Sequence, residues 1–168
     1  MEQENQKWNK VIELFFEYPN KRFTIREITG KTKIPPTSVN RYLRQLKADK
    51  LITNENKANI TPYFKFRKTY YIIDKMFTSN LIEYLESKLN PSVIILFGGI
   101  RKGEYDFESD IDLLVETTKE DKCDLIKFEK ILGHKIELFI KKDIHDLPPQ
   151  LFNNVANGIK LRGYFKIK

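Results

Sequence analysis

Two short groups of residues in the second half of the chain have the types and spacing needed for phosphate and metal chemistry. The first is Gly98-Gly99, which follows the apolar run at 93–97 and precedes the basic pair Arg101-Lys102. Glycines let backbone N–H groups approach phosphate oxygens closely, and basic side chains neutralise the remaining phosphate charge. We therefore predict that this turn binds a phosphate-bearing ligand.

The second group contains two carboxylates at the start of a predicted strand over 111–115. Asp110 and Asp112 are two residues apart, so in a strand their side chains point to the same face. Two carboxylates on one face repel each other unless a cation lies between them, and Mg²⁺ prefers oxygen ligands. This spacing predicts a divalent-metal site at Asp110 and Asp112.

A third carboxylate is available from another predicted strand, over 135–140. Glu137 alternates there with the apolar residues on either side of it, so it points to the opposite face from them. It can supply a third metal ligand, or it can be an ordinary exposed charge at the edge of a sheet. Glu116 is the nearest substitute, although it lies near the far end of its strand.

These motifs resemble the DNA polymerase beta nucleotidyltransferase superfamily, in which a glycine turn, an Arg/Lys-Gly pair, Asp-x-Asp and a later Asp recur. The resemblance covers about 91–165 and is greatest to the minimal nucleotidyltransferases of prokaryotes. Their typical Ser-Asp-Ile-Asp-Leu is present unaltered at 109–113. The segment at 158–163 also resembles their C-terminal motif, with Arg162 in place of the typical tyrosine.

The resemblance implies transfer of a nucleoside monophosphate from an NTP, with ATP expected, to a hydroxyl group, with release of pyrophosphate. It implies that Asp110, Asp112 and Glu137 are the catalytic residues and hold Mg²⁺ or Mn²⁺. The nucleotide-binding residues that it implies are Gly98, Gly99, Arg101, Lys102 and Ser109. Some minimal members modify proteins with AMP and act as antitoxins beside a partner toxin protein, so such a partner is expected.

Two departures from the superfamily pattern leave catalytic competence open. Gly99 stands where a serine that helps to hold the triphosphate is common, and Glu137 stands where an aspartate is usual. A Gly-Gly turn followed by a basic pair also occurs in some polymerases of the superfamily. The alternative to an enzyme is therefore a DNA-binding regulator whose transferase-like domain senses a nucleotide or is inactive.

The positive charge is concentrated in the N-terminal half of the chain. The net charge is +7, and residues 21–75 contain 14 basic and 4 acidic residues, whereas 91–168 contain 13 of each. A basic half beside a neutral half indicates a polyanionic partner for the first, although a solvated surface is the simpler alternative.

The order of predicted elements in this half resembles the winged helix-turn-helix of prokaryotic transcription regulators. Helical periodicity predicts a helix over 4–18 that ends before Pro19, and a short helix that is capped by Thr24 and stops at Gly30. A third helix follows to about Asp49. Two predicted strands, at 51–53 and 63–73, complete a β-hairpin.

The third helix would present one stripe to DNA, because Val39, Leu43 and Leu46 form its inner side. Arg and Gln side chains can read base edges, and basic residues on the hairpin suit phosphates. The predicted DNA contacts are Ser38, Arg41, Tyr42, Arg44, Gln45 and Lys47 on the helix, and Lys65, Arg67 and Lys68 on the hairpin. DNA is favoured over RNA. The alternative is a winged helix used for protein contact or dimerisation.

Together these patterns predict an α+β protein with three parts. A winged helix-turn-helix domain occupies 1–75, a connecting helix 76–90, and a polymerase beta-like nucleotidyltransferase domain 91–168. The last of these is a small mixed sheet with flanking helices, among them 121–132 and a final helix that Pro148-Pro149 opens and that runs to Asn157. We expect a homodimer through helix 4–18. A cytoplasmic protein with no membrane span is also expected, because Cys123 is the single cysteine and no apolar run reaches about 20 residues.

Overall fold

A computed structural model describes residues 2–166. Met1, Ile167 and Lys168, which the sequence assigns to the first and last domains, lie outside the described residues. The chain divides into two compact units, Met1–Lys68 and Thr69–Lys168. None of the described helices is long and apolar enough to cross a membrane.

Three helices open the first unit: α1 (Glu2–Glu17), α2 (Ile25–Thr32) and α3 (Pro36–Ala48). The predicted capping box at the start of α2 is confirmed. The Thr24 hydroxyl accepts a hydrogen bond from the Glu27 N–H at 3.2 Å, and the Glu27 carboxylate accepts one from the Thr24 N–H at 2.8 Å. The predicted stop at Gly30 is wrong, because a glycine inside a helix costs only about 1 kcal/mol. The helix ends instead at Thr32, and the residue that caps it, Lys33, adopts a left-handed conformation.

A short hairpin follows α3. The Thr53 N–H donates to the Lys57 carbonyl at 2.8 Å, and Ile52 and Ala58 form one antiparallel bridge. The predicted second strand at 63–73 is wrong, because these residues lie in helix α4 (Pro62–Thr78).

The burial pattern of α4 is that of a helix. Phe64, Lys68, Ile72 and Met76 are each at most 1% exposed, and they recur every four residues. The predicted single connecting helix over 76–90 is also wrong, because these residues are divided between the end of α4 and helix α5 (Leu81–Leu89). Asn80, which adopts a left-handed conformation (φ 63°), separates the two.

The second unit continues from α5 into a four-stranded mixed sheet, as expected for an α+β fold. Its elements are β1 (Val93–Leu96), α6 (Gly98–Arg101), β2 (Ile111–Glu116), α7 (Ile126–Leu132), β3 (Ile136–Lys141), a 3₁₀ turn (Ile144–Asp146), α8 (Pro149–Ala156) and β4 (Ile159–Gly163). The strand order is β3-β2-β1-β4; β2 and β3 are parallel, and the other neighbours are antiparallel. Helix α7 is shorter than the predicted 121–132.

Both faces of the sheet are covered, which explains why all four residues of β1 are buried. Ile111, Leu113 and Val115 of β2 belong to a core cluster that includes residues of α5 and α7. Leu114 belongs to a second cluster on the other face, with Val155 of α8. Because side chains alternate along a strand, Asp112 lies on the same face as Leu114.

Candidate active site

The glycine turn lies directly against the second aspartate. The Phe97 N–H donates to the Asp112 carbonyl at 3.1 Å, which fixes the end of β1 beside β2. Gly98 has a left-handed conformation (φ +71°), and a Cβ atom placed on it would lie 1.9 Å from Oδ2 of Asp112. Position 98 therefore requires glycine for two reasons, the backbone angle and the space that the carboxylate occupies.

The predicted third carboxylate lies beside the second. Asp112 and Glu137 are register partners in the parallel pair of β2 and β3, so their side chains share a face. Burial raises the pKa of Asp112 to about 6, with further contributions from Glu137, which lies within hydrogen-bonding reach, and from the charge of Asp110. Asp110 and Glu137 are exposed, and Asp110 comes just before the first residue of β2.

The donor set fits a divalent metal, although no closed cage is preformed. Within residues 2–166, no group of three or more His, Cys, Asp or Glu side chains is arranged to hold a metal ion. Carboxylate oxygens are nevertheless the ligands that Mg²⁺ and Mn²⁺ prefer. The raised pKa of Asp112 reflects, besides burial, repulsion that a cation would relieve.

The backbone after Gly98 turns back on itself. The N–H groups of Lys102 and Glu104 both donate to the Gly99 carbonyl, at 3.1 and 3.0 Å. A Cβ atom on Gly99 would lie 3.0 Å from the Glu104 carbonyl oxygen, which is a tight contact. This close return accounts physically for glycine at the position where the superfamily commonly has serine.

The two predicted phosphate-binding cations differ in environment. Lys102 is exposed, whereas Arg101 is half-buried and its Nε atom is buried with no hydrogen-bond partner among the described residues. The turn that carries them is anchored by Thr69, whose hydroxyl donates to the Ile100 carbonyl at 3.0 Å. The sequence assigned Thr69 to a strand and therefore gave no indication of this anchor.

Ser109, predicted to bind the nucleotide, has a local partner. Its hydroxyl accepts a hydrogen bond from the Asp106 N–H at 3.0 Å and lies 3.2 Å from the Asp106 carboxylate. Its carbonyl oxygen lies 2.7 Å from Nδ1 of His134, a buried residue outside the predicted site. No local motif signals this contact, because the two residues are distant in the chain.

Glu116, the substitute third ligand considered from the sequence, is at the other end of β2. Its carboxylate accepts hydrogen bonds from the Ser92 hydroxyl and from the Ile144 N–H. It lines a cavity of about 460 Å³ together with Lys142 and Tyr164, away from the glycine turn. The structure therefore brings Glu137, and not Glu116, beside Asp112.

The predicted DNA-contacting residues of α3 are mostly accessible. Five of the six predicted contact residues on α3 are exposed or half-buried: Ser38, Arg41, Arg44, Gln45 and Lys47. Tyr42 does not lie on this stripe, since it is only 4% exposed and its ring lies under the Arg41 guanidinium at 5.1 Å. Arg41 also forms an ion pair with Glu4 at 2.6 Å.

The basic residues expected on a hairpin strand lie on α4 instead. Lys68 is 1% exposed, so its side chain is not on the protein surface. Arg67 lies over the rings of Trp8 and Tyr63, at 5.4 and 5.9 Å. Lys65 is half-buried.

Comparison with known proteins indicates the same class of protein as the residues of the candidate site do. A family model described as nucleotidyltransferase domain matches residues 78–161, which is half of the chain. The chain is also similar to a putative protein adenylyltransferase of Methanocaldococcus jannaschii. The two are 41% identical over 69 residues, an alignment that covers 37% of this chain and 69% of that protein. The chain belongs to the nucleotidyltransferase domain family, and it is a nucleotidyltransferase.

Proposed function

We propose that the chain transfers AMP from ATP to a hydroxyl group of a protein and releases pyrophosphate. The observation that carries this proposal is the convergence at Asp112, whose carboxylate lies against Gly98 and within hydrogen-bonding reach of Glu137. A turn suited to phosphate and a set of carboxylates suited to metal are thus adjacent in space. The choice of a protein acceptor is supported by the name of the Methanocaldococcus jannaschii relative.

The proposed metal ligands are Asp110, Asp112 and Glu137. Bound Mg²⁺ or Mn²⁺ would neutralise charge on the triphosphate and on the pyrophosphate that leaves. Asp112 and Glu137 are fixed by the pairing of β2 with β3, whereas Asp110 approaches from the preceding loop.

The proposed phosphate contacts come from the turn. The backbone at Gly98 and Gly99 is half-exposed and has no side chain of its own to block phosphate oxygens, and Lys102 is exposed beside it. The Nε–H of Arg101 is a buried donor that a phosphate oxygen would satisfy. Ser109 shapes the loop through Asp106 in this proposal and does not contact the nucleotide.

The transfer is a displacement at the α-phosphorus. The acceptor oxygen forms a new bond to phosphorus, and the bond from that phosphorus to the bridging oxygen of pyrophosphate breaks with its electron pair. The hydroxyl proton passes to a carboxylate. We assign this role to Glu137 because, of Asp112 and Glu137, it is the exposed one.

The test is transfer of label from ATP labelled at the α-phosphate, with Mg²⁺ or Mn²⁺ and with cell-extract proteins as acceptors. Asp112→Asn should lower the rate by about a hundredfold or more, because charge stabilisation in the transition state is lost. Asp121→Asn, at an exposed position outside the site, is the matched control and should leave the rate unchanged. Absence of both label transfer and ATP binding in the wild type would refute the proposal. ATP binding without transfer would favour the nucleotide-sensing alternative.

A second candidate function, DNA binding by the first unit, is favoured by the exposed polar stripe of α3. We propose that α1, α2, α3 and the hairpin at 51–59 act as a winged helix-turn-helix. Arg44 and Gln45 are exposed on α3, and the predicted DNA-binding half has the excess of positive charge. Phosphate contacts of this kind weaken steeply with salt.

The corresponding measurement is duplex-DNA affinity as a function of salt concentration. Arg41→Ala combined with Arg44→Ala should weaken binding and reduce the slope of log affinity against log salt by about 2. Lys141→Ala combined with Lys142→Ala, in the neutral half, serves as the charge-matched control. Equal effects of the two double variants would reject α3 as the contact surface.

A further inference from the structure

A buried histidine outside the predicted site holds the backbone next to the first aspartate. His134 is 4% exposed, and its Nδ1 atom lies 2.7 Å from the carbonyl oxygen of Ser109. A carbonyl oxygen can only accept a hydrogen bond, so Nδ1 carries the donated proton. The His134 ring also meets the buried Tyr105 ring edge-on, with centroids 5.5 Å apart. Packing and hydrogen bonding therefore fix the same ring.

The residue that follows His134 holds the other side of the aspartate. The Lys135 carbonyl accepts a hydrogen bond from the Ile111 N–H at 2.8 Å. Ser109 and Ile111 are the two neighbours of Asp110, so consecutive residues of one segment hold both. The same segment continues into β3, where Glu137 pairs with Asp112. It thus ties the backbone at Asp110 to the strand that carries Glu137.

Asp110 needs this support because the sheet does not provide it. The register of β2 with β3 begins at Ile111, so Asp110 lies outside the ladder and its side chain is exposed. Carboxylates that share a cation must be held in one geometry, and groups that orient the ligands contribute to that geometry. Without the His134 contact, the 134–135 segment would hold the backbone on one side of Asp110 only, at Ile111, and Ser109 would keep only its contacts with Asp106 inside the loop.

We propose that His134 is a positioning residue that holds the backbone at Asp110 where its carboxylate can share a cation with Asp112 and Glu137. The effect on metal binding rests on the proposed function, since it requires the three carboxylates to share a cation. The hydrogen bond between His134 and the Ser109 carbonyl, in contrast, does not depend on any ligand. The two parts can therefore be tested separately.

Three substitutions of His134 separate its hydrogen bond from its volume. His134→Phe keeps an aromatic ring against Tyr105 but has no donor. His134→Asn places an amide N–H close to the position of Nδ1, and His134→Gln carries that donor one methylene further out. His145→Phe is the matched control, because it removes an imidazole whose Nδ1 lies 2.7 Å from an Asp143 oxygen at the other end of the sheet.

The first measurement is hydrogen exchange of the backbone amides at 109–112 in the metal-free protein. His134→Phe should exchange about tenfold faster there, the loss expected for one hydrogen bond, while His134→Asn stays close to the wild type. The second measurement is Mn²⁺ affinity by calorimetry without turnover. His134→Phe and His134→Gln should bind Mn²⁺ about tenfold more weakly, and His134→Asn should restore binding.

Unchanged exchange at 109–112 in His134→Phe, or equal impairment of the Asn and Phe variants, would overturn the proposal. Faster exchange together with a wild type that binds no Mn²⁺ would uphold the backbone role and refute the proposed metal site instead. If His134→Phe does not fold, the comparison of Asn with Gln decides. A weaker Gln variant supports positioning by the donor, and equal variants refute it.

Discussion

At the scale of single residues, Gly98 is subject to two constraints that a comparison with Gly133 can separate. Its backbone is left-handed, and the place of its missing Cβ is taken by the Asp112 carboxylate. Gly133 has the same kind of backbone (φ +82°), but no atom lies within 4 Å of where its Cβ would be. Substitutions at Gly98 and Gly133 therefore separate the energetic cost of the left-handed backbone angle from the effect of displacing the Asp112 carboxylate.

Gly98→Ala should lower transferase activity by about a hundredfold, the effect of moving a reacting group by about 1 Å. Gly133→Ala should keep its activity, while both variants lose about 1–2 kcal/mol of stability from the left-handed backbone. Initial rates with labelled ATP, together with urea unfolding of both variants, measure the two effects. Equal activities of the two variants would contradict the contact between Gly98 and Asp112.

The raised pKa of Asp112 gives a pH dependence of stability with a definite sign. The folded chain holds a proton on Asp112 up to about pH 6, whereas the unfolded chain loses it near pH 3.8. The folded state therefore binds more protons between these values, and this group lowers the free energy of unfolding as pH rises from about 4 to about 6.

Glu137→Gln should make that fall in stability smaller, because it removes a neighbouring negative charge and lowers the pKa of Asp112. Urea midpoints of the metal-free protein between pH 4 and pH 7 give the comparison. Glu83→Gln, at an exposed position of α5, controls for the loss of one carboxylate. If wild type and Glu137→Gln follow parallel curves, the two carboxylates are not coupled.

At the scale of elements, helix α4 shows how a local pattern can give the wrong period. Aromatic and basic residues alternate at 64–67, which favours a strand. Lys68 and Thr69 are polar but buried, so the buried face of the helix cannot be recognised from the spacing of apolar residues alone. In a strand, Tyr70 and Ile72 would share a face. In α4, Ile72 is 1% exposed and Tyr70 is 58% exposed.

Ile72→Ala should therefore destabilise the protein by about 2–5 kcal/mol, since it leaves a cavity in the core. Tyr70→Ala should cost less than about 1 kcal/mol, as for most surface positions. Denaturant unfolding of the two variants measures the difference. Similar losses would restore the strand predicted from the sequence.

The elements that could be predicted from the sequence are those with local signals. The capping box at Thr24 and the proline-led start of α8 depend on neighbouring residues, and both predictions are confirmed. The metal and phosphate motifs lie within 15 residues of each other, so the adjacency of Gly98 and Asp112 was also accessible from the sequence. Thr69 and His134 contact their partners across more than 20 residues of chain, and no local spacing reports such contacts.

At the scale of the whole molecule, the central strand β1 depends on the last strand of the fold. One edge of β1 pairs with β2, and the other pairs with β4. Gly158, just before β4, approaches β1 so closely that a Cβ atom there would lie 2.4 Å from Ile95. Without this strand, a fully apolar strand would have an open edge, which is a template for aggregation.

A chain that ends at Asn157 should therefore lose cooperative unfolding of the second unit and associate at micromolar concentration. Thermal unfolding followed by circular dichroism and light scattering provides the measurement. The single tryptophan, Trp8, lies in the first unit, so its fluorescence reports separately on that unit. A truncated chain that stays monomeric with an unchanged melting temperature would contradict the role assigned to β4.

The same pairing has a consequence for synthesis on the ribosome. Strand β1 emerges early, but its second partner, β4, is translated only after β2, α7, β3 and α8. At a translation rate of about 5–20 residues per second, several seconds pass between the synthesis of β1 and that of β4. During that time an apolar strand with an unpaired edge is exposed in the nascent chain, which makes it a natural target for chaperones that act during translation.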